Sequence, residues 1–475
     1  MNGFLEGSVL FRWLTAAAGW IDRQWEKSFL ALLLTGQRKE PGSQSALNRF
    51  FDRLRGALCG LFRVTRLDKA LEGSISTRLL LWCGLTILAA PLLPTMAVLG
   101  LVLVCALSLL ICLGRDRERQ LVWSPVNKWV YLFAAVYLVC TLTSVTPKGS
   151  LKGGMLTVAF VLFAIVLQNA VTERRHLDAL IALLVLGGFL VSLYGFAQVI
   201  LGVESTAAWV DDSFVENGVS LRVYSTLDNP NVLSEYLLLI IPLGAVTALT
   251  ARTRQGKAAA GVATGAMVMC LVLTLSRGGY LGLALAAALF LVLLDRRFIV
   301  LGVIGCICLL FFLPETILLR IASIADMSDT STSYRLNIWI ATIDMLKDYW
   351  VSGIGPGITA FNTVYPLYSL NTIAAPHAHN LYLQILVECG ISGFVAFMGG
   401  VLSWVRVLTG KIRRSLDKKT RLQAIAFLCS LTGFLAQSVT DYSFYNYRVE
   451  LMFWVVLALG AALARNWGRE EAGTC

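Results

Sequence analysis

Long apolar runs recur from residue 79 to residue 464, and the polar residues are gathered into short segments between them. Runs of this kind are long enough to cross a hydrocarbon layer of ~30 Å as helices, and they lack the apolar/polar alternation of barrel strands. The pattern predicts spans near 79–93, 96–113, 129–145, 153–169, 178–201, 232–250, 258–275, 280–294, 298–313, 391–405, 422–440 and 448–464, about twelve transmembrane helices. Pro91 and Pro94 split the first pair, so it reads equally as one re-entrant hairpin. The expected fold class is an all-α polytopic membrane protein.

Composition agrees: 57% of the 475 residues are hydrophobic, 15% are charged and the mean hydropathy is +0.71, too apolar for a soluble chain of this length. Charge then sets the sidedness. With both termini inside, the inner segments hold 32 of the 40 Lys and Arg and 15 of the 29 Asp and Glu, so the overall +11 divides into +17 inside and −6 outside. A basic chain distributed this way is drawn to an anionic leaflet, and no nucleic-acid partner is expected. Residues 1–77 carry basic residues throughout without a cleavable apolar core, and are expected to form a cytoplasmic amphipathic extension on the inner leaflet. The eleven cysteines form no CxxC pair and read as small buried hydrophobes.

The domain reading is a cytoplasmic extension (1–77), nine spans over 78–313 with an outer loop at 202–231, a large outer loop at 314–390, three spans over 391–465 and a cytoplasmic tail, 466–475. In the large loop, Leu336, Trp339, Ile340, Ile343 and Leu346 repeat at helical spacing opposite Arg335, Asp344, Lys347 and Asp348. This predicts an amphipathic helix along the membrane surface, stopped by the turn Gly353-Ile-Gly355-Pro-Gly357.

The positive-inside bias selects against outer cations, so those that remain are candidates for function. Arg277 stands in Leu-Ser-Arg-Gly-Gly-Tyr, where two spans meet at the outer boundary; Arg222 precedes Asp228-Asn229-Pro230-Asn231 in the same layer. Guanidinium groups bind phosphate oxygens in bidentate fashion and keep their charge, which suits a lipid-linked diphosphate. Arg320, Arg335 and Arg448 are further outer cations, and Arg448 and Asp441 are candidates for an ion pair. His377 and His379 lie directly before a helix expected to start at Asn380. An imidazole there can accept a hydroxyl proton near neutral pH, and His379 is the stronger candidate. A metal role for His377-x-His379 with Glu388 lacks further ligands in range, and Asp211-Asp212, though it resembles acidic pairs that hold Mg²⁺ or Mn²⁺ near diphosphates, is a dipeptide common by chance, so no metal and no cofactor is expected. A transporter or flippase of an anionic solute or lipid is the different-class reading: twelve spans and the outward arginines favour it, as do residues such as Glu235, and the scarcity of buried carboxylates and broken helix pairs opposes it.

In this order and on this face, the motifs resemble the O-antigen ligase and O-antigen polymerase superfamily. They are Arg222 with Asp228-Asn229-Pro230-Asn231, Ser276-Arg277-Gly278-Gly279, Arg335…Trp339…Gly353-Ile-Gly355-Pro-Gly357, and His379-Asn380 followed by Leu381, Leu383, Leu386, Glu388, Gly390 and Gly393. The resemblance implies a C-type glycosyltransferase architecture with a catalytic chamber under the large periplasmic loop. It also implies a glycan donor on undecaprenyl diphosphate at the outer face of the bacterial inner membrane. In such enzymes a ligase uses a lipid A core sugar as acceptor, a polymerase another lipid-linked repeat, and a related branch protein hydroxyls. The eleven-residue step from His379 to Gly390 resembles the ligase branch. On this resemblance His379 is the catalytic base and Arg222 and Arg277 bind the diphosphate, with Arg335, His377, Asn380, Asp228, Asp441 and Arg448 in support.

Overall fold

The computed structural model describes residues 75–115, 121–203, 222–295, 315–322 and 330–465, with a few isolated positions elsewhere. The 1–77 extension, Asp211-Asp212 and the 298–313 span lie essentially outside them. The described residues contain helices and no strand. In order these are α1 (Ile75–Ala89), α2 (Thr95–Arg115), α3 (Asn127–Leu142), α4 (Pro147–Ala170), α5 (Arg174–Ile200), α6 (Pro230–Thr250) and α7 (Arg254–Leu273), then α8 (Arg277–Leu294), α9 (Glu315–Ala322), α10 (Thr330–Tyr349), α11 (Ile358–Val364), α12 (Leu381–Arg414), α13 (Lys418–Gln437) and α14 (Tyr447–Leu463). Seven of them, α2, α4, α5, α6, α7, α8 and α12, are long and apolar enough to cross a membrane; α1 and α3 are shorter apolar helices.

Helix α14 is buried on every side from Val449 to Leu463, the pattern of an apolar helix enclosed by others. Its Phe453 and Trp454 pack with Phe133, Phe397, Phe434 and Phe444, neighbouring ring centroids lying 5.2–6.5 Å apart. Helices α8 and α13 cross at Gly282 and Gly433, where a Cβ on Gly282 would stand 2.6 Å from the Gly433 carbonyl oxygen. Only glycine admits that approach. It brings the start of α8 and the end of α13 together at one end of the bundle, and the chemistry gathers there.

In the large loop, α10 packs through Ile338, Ala341 and Met345, while Leu336, Ile340 and Ile343 of the predicted stripe stay exposed. The helix of the expected 391–405 span begins earlier, at Leu381, and kinks at Gly390. Gly353, Gly355, Gly357 and Gly390 all have positive φ, from 61° to 102°, so the glycine cluster is a turn. It docks on the kink: Ile354 N–H donates to Val387 O (2.8 Å), Gly355 N–H to Glu388 O (3.0 Å) and Ile391 N–H to Trp350 O (2.8 Å). A Cβ on Gly390 would lie 2.2 Å from Val351 O, and one on Gly353 2.3 Å from Glu388 O. Gly353 and Gly390 are demanded by both conformation and space.

Candidate functional site

Helices α7 and α8 are joined by Thr274, Leu275 and Ser276 alone. Leu275 sits at φ 53°, a region side-chain-bearing residues seldom adopt. The Ser276 hydroxyl caps α8 by accepting from Gly279 N–H at 3.3 Å, which sets Arg277 at the first helical position. Arg222 approaches from the segment before α6, its Nε donating to Thr274 O (2.9 Å) and its Nη2 to Asn231 Oδ1 (3.1 Å). Gln437, at the end of α13, donates to Asn231 O (2.9 Å) and Ser234 Oγ (2.6 Å). The start of α6, the start of α8 and the end of α13 are thus tied together.

The histidine segment is built against the α13–α14 loop. Asn380 caps α12, accepting from Tyr382 N–H and Leu383 N–H at 2.9 and 3.0 Å, and its Nδ2 donates to Val439 O (2.8 Å). Leu381 N–H donates to Ser438 O and to Asp441 O. His379 is held between these anchors at φ 46°, with its Nδ1 3.5 Å from Asp441 Oδ1. That contact is long for a hydrogen bond, and Nδ1 makes no tighter one among the described residues; catalytic pairs in unliganded enzymes are often this loose. Burial alone would raise the Asp441 carboxyl, but His379, with Arg335 and His377 behind it, holds it well below the usual carboxylate range.

His377 is buried, and its Nδ1 accepts from His379 N–H at 3.2 Å. Its ring stacks on Tyr445, centroids 5.0 Å apart. Burial, then the charges of His379 and Arg335, push its pKa down to about 3 against the opposing pull of Asp441. It is therefore a neutral acceptor that fixes the backbone of its neighbour. Tyr334 meets the His379 ring edge-on at 5.8 Å, and Trp339 Nε1 donates to His379 O.

Both halves face one cavity of about 950 Å³, within the range of small-molecule sites. Arg222, Arg277, Arg320, Arg335 and Arg448, which are all the arginines the sequence places outside, line it together with His377, His379, Asp228 and Asp441. Five guanidinium groups against two carboxylates leave a surplus of three positive charges before the imidazoles are counted. Asn380 is not on the wall and acts through its cap. The Arg448–Asp441 pair suggested by sequence does not form: Arg448 Nη2 bonds Asp228 at 2.7 Å, and Asp441 faces His379. Sequence reasoning gave no role to Gln437, Thr440, Tyr445 and Tyr447 on the wall; no motif marks them, because their place there arises from packing between distant helices.

Glu388 is turned away from this chamber. It is buried and accepts from Gln384 Nε2 (2.9 Å), Gly357 N–H (3.0 Å) and Tyr137 OH (3.3 Å), while Gln384 Oε1 accepts from Ala378 N–H (2.7 Å). It fastens the glycine turn to the histidine segment. No group of three metal-ligating side chains occurs among the described residues.

Residues 262–398 match the profile of the family described as O-antigen ligase. No curated protein matches the chain. The matched stretch runs from α7 into α12 and includes Arg277, Arg320, Arg335, the glycine turn, His377 and His379, and over this stretch the chain is similar to the O-antigen ligase family.

Proposed function

We propose that this chain is a glycosyltransferase moving a glycan from undecaprenyl diphosphate to a hydroxyl acceptor such as a lipid A core sugar. The reaction takes place at the outer face of the inner membrane, with inversion and without a metal, in a C-type glycosyltransferase body whose termini are cytoplasmic. The observation that carries the reading is the convergence of the five outer arginines with the His379–Asp441 pair on one cavity. Arg222 and Arg277 bind the diphosphate. They stabilise the charge that builds on it as the bond between glycan C1 and the phosphate oxygen breaks, a preorganised electrostatic role. The acceptor oxygen attacks C1 from the opposite side, and its proton passes to His379 Nε2. Asp441, accepting from Nδ1–H, keeps Nε2 available and stabilises the imidazolium.

Incubating the purified protein with a polyprenyl-diphosphate glycan and a lipid A core acceptor, without ATP or an ion gradient, tests this. A covalent glycan–core product is expected. A product formed only with a second lipid-linked repeat would indicate a polymerase, and one formed only with a protein hydroxyl the protein-glycosylating branch. Vesicle uptake without any covalent product would indicate a transporter. Glu235, one residue that favoured that reading, is fully buried and is not part of the cavity wall.

A further inference from the structure

The three-residue α7–α8 connection presents two adjacent carbonyls, and each accepts from the Nε of a different arginine. Arg222 bonds Thr274 O at 2.9 Å, and Arg320, from α9, bonds Leu275 O at 3.0 Å. Both side chains are at least nine-tenths buried, and both line the cavity with Arg277, two residues further on. A carbonyl at a helix end can be satisfied by water or by an exposed side-chain donor, basic ones included. Burying a guanidinium to do this is costly unless its charge or its fixed fork is used. The turn they clasp is the strained one, with Leu275 at φ 53°, and it sets where α8 and Arg277 begin.

We propose that Arg320 is a positioning residue for Arg277: with Arg222 it clamps the strained turn, and so couples the seating of α9, the first described helix of the large outer loop, to the aim of the diphosphate-binding arginine. This rests on the transferase reading above. The Nε grip on Leu275 O and the charge on the cavity wall are used at once, which one guanidinium can do and one ammonium cannot. Because Arg277 acts as charge develops on the leaving diphosphate, a misaimed Arg277 lowers kcat more than it weakens donor binding.

The test measures transfer in lipid nanodiscs across donor concentrations for wild type, Arg320→Gln, Arg320→Lys, Arg277→Lys and the Arg320→Gln/Arg277→Lys double variant. Folding is followed by size exclusion and thermal melting. Arg320→Gln is expected to lower kcat about 10²-fold, as a misplacement on the order of 1 Å does, with donor KM within about threefold of wild type. Arg320→Lys should fall nearly as far, and it serves alone if the glutamine variant does not fold. In the Arg277→Lys background, Arg320→Gln should cost no more than about threefold, because the group it aims is already gone. Full kcat in Arg320→Lys, a rise in KM with kcat intact, or two losses that multiply would each overturn the clamp. A wild type that transfers nothing would instead count against the transferase reading.

Discussion

Replacing Asp441 with asparagine keeps the shape of the α13–α14 loop and removes one charge. The backbone carbonyl that anchors Leu381 N–H is untouched, and the side chain keeps its volume. What is lost is the carboxylate 3.5 Å from His379 Nδ1. At that separation, with an effective dielectric of ~20, attraction between a carboxylate and an imidazolium is at most about 5 kcal/mol. Arg335, which also acts on Asp441, already offsets part of it. A net loss of about 3 kcal/mol in the transition state corresponds to a rate about 10²-fold lower, inside the span expected when a general base is disarmed. The assay is single-turnover transfer from a saturating polyprenyl-diphosphate glycan, with donor affinity measured separately. The rate should fall while donor affinity stays within about threefold of wild type. A variant that transfers at the wild-type rate, or that loses rate only in proportion to donor binding, would refute the assignment of Asp441 to the imidazole.

His377, with a pKa near 3 in the folded chain against ~6.5 unfolded, binds fewer protons folded than unfolded between these values. Its contribution to stability is therefore complete above pH ~6.5 and erodes as the pH falls, at a slope approaching 1.4 kcal/mol per pH unit. Melting curves between pH 6.5 and 4 should show His377→Asn losing less stability than wild type, and parallel slopes would contradict this. Gly390→Ala adds a methyl 2.2 Å from Val351 O at φ 61°; a stability loss of about 3 kcal/mol in denaturant titration is expected, and an unchanged midpoint would show that the kink is not confined. Glu388→Gln replaces an acceptor of three hydrogen bonds and should lower stability by roughly 1–3 kcal/mol, with transfer by the surviving folded protein reduced less than in Asp441→Asn. Chelators should leave transfer unchanged, since the leaving diphosphate is met by arginine; inhibition reversed by added divalent cation would refute that.

Much of this arrangement was legible in the chain because topology makes outer cations expensive to keep. Arg222, Arg277, Arg335 and Arg448 were singled out on charge and sidedness alone, and the cap at Asn380 on its side chain. What sequence could not supply was pairing. Arg448 and Asp441 are seven residues apart, yet each chooses a partner from another segment, Asp228 and His379. The α10 stripe was visible by period, but period does not say which face the protein covers, and Ile338, Ala341 and Met345 turn inward instead. Beside His377 and His379, Glu388 lacks the further ligands a metal needs, and the sequence offered it no other role. Only the folded turn shows Gly357 N–H and Tyr137 OH filling its oxygens.

The central claim is that the arginines hold the donor and the imidazole takes the acceptor proton. It is tested most directly by measuring donor binding and transfer side by side for His379→Ala and Arg277→Ala in the same nanodiscs. His379→Ala should bind the lipid-linked diphosphate as wild type does and transfer at least ~10²-fold more slowly, whereas Arg277→Ala should lose both. Near-normal transfer by folded His379→Ala would contradict the account.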